Sequence, residues 1–219
     1  MLVNCTSKGE SGEAASADIG IHSYELTAGL DCEPSLGLFE CLRRNEPSAA
    51  EHHDVKLDRA GGEFCLSSPG ATKACLRDQE GLSYVFLERT AGYFVVVETE
   101  DVGGYTVLMV NEKTGRQSRV DNGPLFSPGA PFFATVSYDT DAGYLQNRVA
   151  IWDSTTNALL YKVDRFASGI GPVGIRWVAP TRLQVLYSRS EYSPTRDENT
   201  ATFSIWRGEK NTWSDDYSR

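Results

Sequence analysis

The chain has 219 residues, of which 40% are apolar and 23% are charged, and its formal net charge is −9. This balance is typical of a globular protein with one sizeable core, and it excludes a wholly disordered chain. Nucleic acid is not an expected partner, because phosphate binding needs a clustered basic surface. No membrane span is expected either, since no stretch approaches the roughly 18 apolar residues that a span needs.

The first 18 residues have a short apolar start and then a small, polar sequence. We expect residues 1–18 to form a flexible tether. Residues 2–5, LVNC, resemble the end of a bacterial lipoprotein signal. That resemblance implies an exported envelope protein with lipidation at Cys5, although an ordinary flexible terminus remains the alternative.

Four further cysteines lie in the first part of the chain, in two pairs of near neighbours: Cys32 with Cys41, and Cys65 with Cys75. An even number of cysteines in a loop-rich segment predicts two disulfides and an oxidising compartment. Three pairings are open, and the simplest joins the near neighbours. Reduced core cysteines are one alternative. A structural zinc site is another, although the Cys-x₂-Cys spacing common in such sites is absent. The predicted location is therefore exported, either periplasmic or associated with the cell envelope.

We expect residues 19–81 to be an irregular, disulfide-bearing segment. Leu36, Phe39 and Leu42 have helical spacing and predict a short helix. His52 and His53 follow in the sequence EHHD. Adjacent histidines on a strand point to opposite faces, so we predict a solvated turn and no metal site here.

From residue 82 the pattern changes to short runs of β-branched and aromatic residues, separated by Gly, Pro, Asn, Asp and Thr. This predicts an all-β fold, an antiparallel β-meander, over residues 82–219. Together with the N-terminal segment it would form a single all-β domain over residues 19–219.

Three hairpins in this part share a pattern. YTVLMVNEKTGRQSRV aligns with NRVAIWDSTTNALLYKV and with TATFSIWRGEKNTWSDD. Asn111 and Asp153 start two of the turns, where their side chains can bond backbone N–H groups. Gly115, Asn157 and Asn211 follow at the positions where a left-handed residue closes a hairpin. The alignment also makes Trp152 equivalent to Trp206, and we expect both to pack between repeats.

Residues 126–163, which contain a Trp-Asp pair, resemble a blade of a WD-repeat β-propeller. The resemblance covers residues 82–216 and implies propeller-like blades of four antiparallel strands, with a β-sandwich as the alternative. Three copies are fewer than a closed ring needs. The N-terminal segment could supply a fourth blade, or a homodimer could complete an open sheet.

Two loops are candidates for contact with a partner. Residues 138–147 contain Tyr138, Asp139, Asp141 and Tyr144, and the connection 190–199 contains Tyr192. Aromatic side chains on loops are frequent binding anchors. Asp139 and Asp141 also resemble the start of a calcium loop, but the closing Glu is absent.

The sequence has no nucleophile elbow and no phosphate-binding glycine loop. We predict no catalytic residues, no cofactor and no metal. The first functional hypothesis is therefore a non-enzymatic binding protein of the bacterial envelope that acts through its loops. A protein partner is expected, and the acidic charge suits a basic secreted protein that is held inhibited. A hydrolase with a loop-borne site and a structural envelope component are the alternatives.

Overall fold

A computed structural model describes residues 22–23, 26, 30–33, 36–77, 79–100, 104–138, 146–167, 169–188, 200–208 and 211–217. The elements in chain order are β1 (His22–Ser23), α1 (Leu38–His52), β2 (Lys56–Ala60), β3 (Glu63–Ser67), β4 (Ala74–Arg77), β5 (Leu82–Thr90), β6 (Tyr93–Glu100), β7 (Tyr105–Asn111), β8 (Gln117–Val120), β9 (Leu125–Phe126), β10 (Phe132–Ser137), β11 (Arg148–Asp153), β12 (Leu159–Val163), β13 (Gly171–Ala179), β14 (Arg182–Ser188), β15 (Thr200–Arg207) and β16 (Trp213–Asp215).

The strands form four antiparallel sheets, and in each sheet the strands follow chain order as a meander. Sheet I contains β2–β4, sheet II β5–β8, sheet III β9–β12 and sheet IV β13–β16, with β1 added beside β13. The predicted all-β class and meander arrangement are therefore confirmed. The N-terminal segment is more regular than the sequence indicated, since it contains α1 and the whole of sheet I.

The four sheets stack in chain order through three apolar cores. Phe64 and Leu66 of sheet I pack with Phe94 and Val96 of sheet II. The opposite face of sheet II packs on Phe133 of sheet III through a second core. Sheet III then packs on sheet IV through the third core, which is built by Phe132, Ala134, Val136, Val149, Ile151, Val163, Ile175, Trp177, Leu183, Val185, Phe203 and Ile205.

Burial along the strands shows which sheets are internal. In sheets II and III, β6 is buried over its first six residues and β10 is buried throughout. In sheet IV, β14 has buried residues interspersed with partly exposed ones, because only one face of the sheet is covered. No apolar core of the described residues joins sheet I to sheet IV, so the described array is open and blade-like rather than a closed ring.

Helix α1 covers the edge strand of sheet II. Glu46 of the helix is buried, and its Oε1 accepts a hydrogen bond of 2.7 Å from the backbone N–H of Phe86 on β5. Arg59 of β2 donates to the same carboxylate at 2.7 and 2.8 Å and to the carbonyl of Tyr84 at 2.9 Å. Glu46 and Arg59 therefore provide hydrogen-bond partners for backbone groups of this edge strand that would otherwise be unpaired.

Two of the three predicted turns form as expected. The side chain of Asn111 accepts hydrogen bonds from the backbone N–H groups of Lys113 and Thr114, each at 3.0 Å. Asp153 accepts from Thr155 and Thr156, each at 2.8 Å. These bonds lower the pKa of the Asp153 carboxyl against the opposing effect of burial, which is the largest single influence on it. The left-handed residues are also confirmed, with φ of 67° at Gly115, 56° at Asn157 and 59° at Asn211.

The third turn differs by one residue, and this changes the position of Trp206. The second strand of each sheet begins at Tyr93, Phe132 or Arg182. In sheets II and III this first residue pairs with Asn111 and with Asp153. In sheet IV the first residue, Arg182, pairs with Trp206. Trp206 therefore lies within β15, paired with Arg182 and Ser214 and one position out of register with Trp152, and it is 37% exposed. Its predicted packing between repeats is wrong. Trp152, by contrast, stacks on Phe133 with ring centroids 6.0 Å apart.

Both disulfides have the predicted near-neighbour pairing. Cys32 is bonded to Cys41 on α1, and Cys65 is bonded to Cys75 between β3 and β4. Two disulfides indicate an oxidising, exported location. In the described part of the chain, the helix is too short and too polar to cross a membrane.

Candidate functional site

Three connections leave the array at the same end. They join the second strand to the third in sheets II, III and IV, and they span residues 101–104, 138–147 and 189–199. Equivalent connections in stacked meander sheets emerge on one side, because the strands run in the same directions. We call this end of the array, with its three connections, the loop rim.

Contacts at the base of the loop rim bring the second and third connections together. The side-chain amide of Asn147 donates to the carbonyl of Ile170 at 3.2 Å. Gly171 pairs with Ser188, and Ser188 pairs with Thr200, where the third connection ends. The strand ends that carry the two predicted contact loops are therefore neighbours.

Tyr138 is half-buried beside Gly171. A Cβ atom at position 171 would overlap the Tyr138 ring and lie 2.9 Å from Cγ of Asn147, so this close approach requires glycine. One part of the Tyr138 ring is thus packed against β13. The other predicted contact residues, Asp139, Asp141, Tyr144 and Tyr192, lie outside the described residues, as does the predicted lipidation site Cys5.

The loop rim is acidic in sequence. Its three connections contain six acidic residues and two basic ones. Such an excess of one charge attracts an oppositely charged partner over a range set by ionic strength. Part of the negative charge of the whole chain therefore belongs to the sequence of these three connections.

A second candidate site lies between α1 and β5, where the structure has a cavity of about 430 Å³. We call it the helix cavity. Its apolar wall consists of Leu26, Leu30, Leu42, Ala49, Phe86 and Leu87. Its polar groups come from Asn45, Glu46, Ser48, His52, His53, Glu88 and Asn122. An apolar wall with a few convergent polar groups, in this size range, is typical of a small-molecule site.

A β-bulge explains why consecutive residues of β5 line the helix cavity. Phe86 pairs with Val96 and Glu88 pairs with Val95, so Leu87 is an extra residue in the ladder. A regular strand would turn Leu87 and Glu88 to opposite faces. The bulge instead allows Phe86, Leu87 and Glu88 all to line the cavity.

Two groups of the helix cavity, Glu88 and His53, have pKa values shifted towards their neutral forms. Burial raises the pKa of the Glu88 carboxyl. Burial also lowers the pKa of the His53 imidazole, and electrostatic interactions with His52 and Arg89 lower it further. At neutral pH His53 is therefore uncharged.

The solvated turn expected at EHHD is confirmed only in part: His53 and Asp54 form a turn and Glu51, His52 and Asp54 are exposed, but Glu51 and His52 belong to the end of α1. His52 is the last residue of α1, and His53 caps the helix with its N–H bonded to the carbonyl of Ala49 at 3.1 Å. Both residues line the helix cavity and a more open cleft beside Arg89 and Glu112. Nothing in the local sequence shows the bulge that directs Glu88 to the same place.

Among the described residues, one group of side chains has possible metal-ligand atoms close together, and it consists of Glu63, Cys65 and Cys75. The two sulfur atoms are joined in a disulfide. They provide no thiolate, which is the form that binds metals.

No protein-family model matches the chain, and no curated protein matches it significantly.

Proposed function

We propose that this protein is a non-enzymatic binding protein of the bacterial cell envelope, which captures a basic secreted protein through the loop rim. The observation that carries the proposal is the acidic sequence of the three connections, two of which follow on from neighbouring strand ends of a stacked-sheet scaffold. Rigid sheets reduce the entropy lost when loops bind, and the acidic charge increases the rate of encounter with a basic partner. Inhibition would follow where the loop rim covers the partner's own site.

The location and assembly form part of the same proposal. The disulfides support an exported location, and we propose the periplasm as the compartment, with Cys5 as the point of lipid attachment. The blade-like sheets support a propeller of the WD-repeat-like kind. Because the described array is open, we propose that a homodimer completes it.

The proposal predicts binding that depends on both salt and the loop rim. The immobilised protein would be exposed to an extract of exported proteins, and the captured partner would be identified and its association rate measured. For Asp139→Asn with Asp141→Asn, we expect association slower by about tenfold at low salt, with a weaker dependence on salt.

The matched control replaces Glu51 by Gln and Asp54 by Asn, because these exposed acidic residues lie at the end of α1 beside the turn at residues 91–92, at the opposite end of sheet II from the loop rim. It makes the same change in net charge and should leave the rate close to that of the unaltered protein. Binding that does not respond to salt or to the loop-rim variant would contradict the proposal, and so would an equal effect of both variants.

A further inference from the structure

The helix cavity contains a carboxylate without a charged partner. Among the described residues, no hydrogen bond or ion pair reaches the carboxylate of Glu88, which is half-buried. The other carboxylate on the wall, Glu46, is bound by Arg59 and by the N–H of Phe86. A buried charge is costly unless a partner neutralises it. Glu88 therefore stands out from the acidic residues that stabilise this fold.

The nearest cation in the sequence is already engaged. Arg89 donates from Nε to Glu112 at 2.7 Å and from Nη2 to the same carboxylate at 3.0 Å. Its side chain lines the open cleft rather than the helix cavity. His53, on the wall of the helix cavity, is neutral at neutral pH. The cavity thus combines an apolar wall with a negative charge that no described cation offsets.

We propose that the helix cavity binds an organic cation with an apolar body, such as an aralkyl amine. The ammonium group would donate hydrogen bonds to the Glu88 carboxylate. The apolar body would lie against Leu42, Phe86 and Leu87, and water would leave these side chains. A neutral ligand forms no ion pair with Glu88, and an anionic ligand is repelled by it.

This inference is independent of the proposed capture of a basic protein. Glu88 lies two residues from the end of β5, close to the turn at residues 91–92 that leads into β6. The loop rim lies at the other end of sheet II, where Leu82 pairs with Glu100. The two proposals therefore concern different residues and different ligands, and each can fail without the other.

The test compares phenethylamine, phenethyl alcohol and phenylacetate, which share an aromatic body but differ in charge. Titration calorimetry on the full chain at neutral pH should show the amine binding at least about tenfold more tightly than the alcohol, and phenylacetate more weakly than either. Amine binding should also shift the NMR signals of the His52 and His53 rings, which line the same cavity.

Two variants identify the group responsible. Glu88→Gln keeps the size of the side chain and removes its charge, so the amine and the alcohol should bind it equally. Glu80→Gln makes the same change in net charge at an exposed position and should retain the preference for the amine. Equal affinity of the unaltered protein for amine and alcohol would overturn the proposal. Loss of the preference in Glu80→Gln would also overturn it, because the attraction would then come from the overall charge.

Discussion

Asn157 shows how one residue can fix both a turn and a contact between sheets. Its backbone is left-handed, with φ of 56°. Its side-chain amide donates to Ser118 Oγ at 2.9 Å, and its Oδ1 accepts from the hydroxyl of Tyr93 at 3.1 Å. Tyr93 and Ser118 belong to sheet II, whereas Asn157 lies in a turn of sheet III. The side chain therefore joins the two internal sheets.

We predict that Asn157→Ala lowers the free energy of unfolding by about 1–3 kcal/mol, because it combines backbone strain with the loss of side-chain hydrogen bonds. Asn157→Gly accepts the left-handed conformation and loses only the hydrogen bonds, so its effect should be smaller. Urea denaturation of both variants measures the difference. Equal losses for Ala and Gly would show that the left-handed backbone contributes nothing.

At the scale of elements, the position of α1 depends on a buried ion pair. The Glu46 carboxylate accepts hydrogen bonds from Arg59 of β2 and from the backbone N–H of Phe86 on β5. A single side chain therefore links the helix to sheets I and II. The Glu46 side chain is 8% exposed, whereas that of Arg59 is 32% exposed. The sequence of α1 gives little sign of this role, since Glu46 is followed by Pro47 within the helix.

We predict that Glu46→Ala lowers the free energy of unfolding by about 2–4 kcal/mol, because it leaves a buried N–H and a partly buried guanidinium without their acceptor. Glu51→Ala, on an exposed part of the same helix, is the control and should change stability by less than about 0.5 kcal/mol. Thermal and chemical denaturation would measure both. Similar losses in the two variants would indicate a general effect on helix formation instead of the buried contact.

For the whole molecule, the stacking order of the sheets predicts which strands resist local unfolding most strongly. Strands β6 and β10 lie in the internal sheets and are buried on both faces, whereas β3 and β14 belong to sheets at the ends of the array. Local opening needs less energy where fewer apolar contacts are lost. The two internal sheets should therefore form the most stable unit of the described array.

Hydrogen exchange followed by mass spectrometry tests this expectation. We predict that amides of β6 and β10 exchange most slowly, and that those of β2 and β16 exchange fastest among the strands. If sheets I and IV were protected as strongly as the internal sheets, their outer faces would have to be covered in solution. That outcome would fit closure of the array by a second copy.

The amino-acid pattern alone determined the class of the fold, the turns and the disulfides. Alternating and continuous β-branched runs predict strands, and Asn111, Asp153 and Gly115 predict turn geometry, because both depend on interactions between near neighbours. The pairing of Cys65 with Cys75 is predictable for the same reason. The length of α1 is not predictable from the sequence, since the helix continues through Pro47 and is held in place by contacts with β5.

Only the tertiary structure decided how these pieces meet. The stacking of four sheets brings the strand ends beside residues 138–147 and 189–199 together, and a bulge at Leu87 directs Glu88 towards two histidines from α1. Residues far apart in sequence carry no local signal of their contact. The exposure of Trp206 has a similar cause, because the pairing of β14 with β15 is shifted by one residue and moves Trp206 out of register with Trp152. Local chemistry thus specified the elements, while packing between them created both candidate sites.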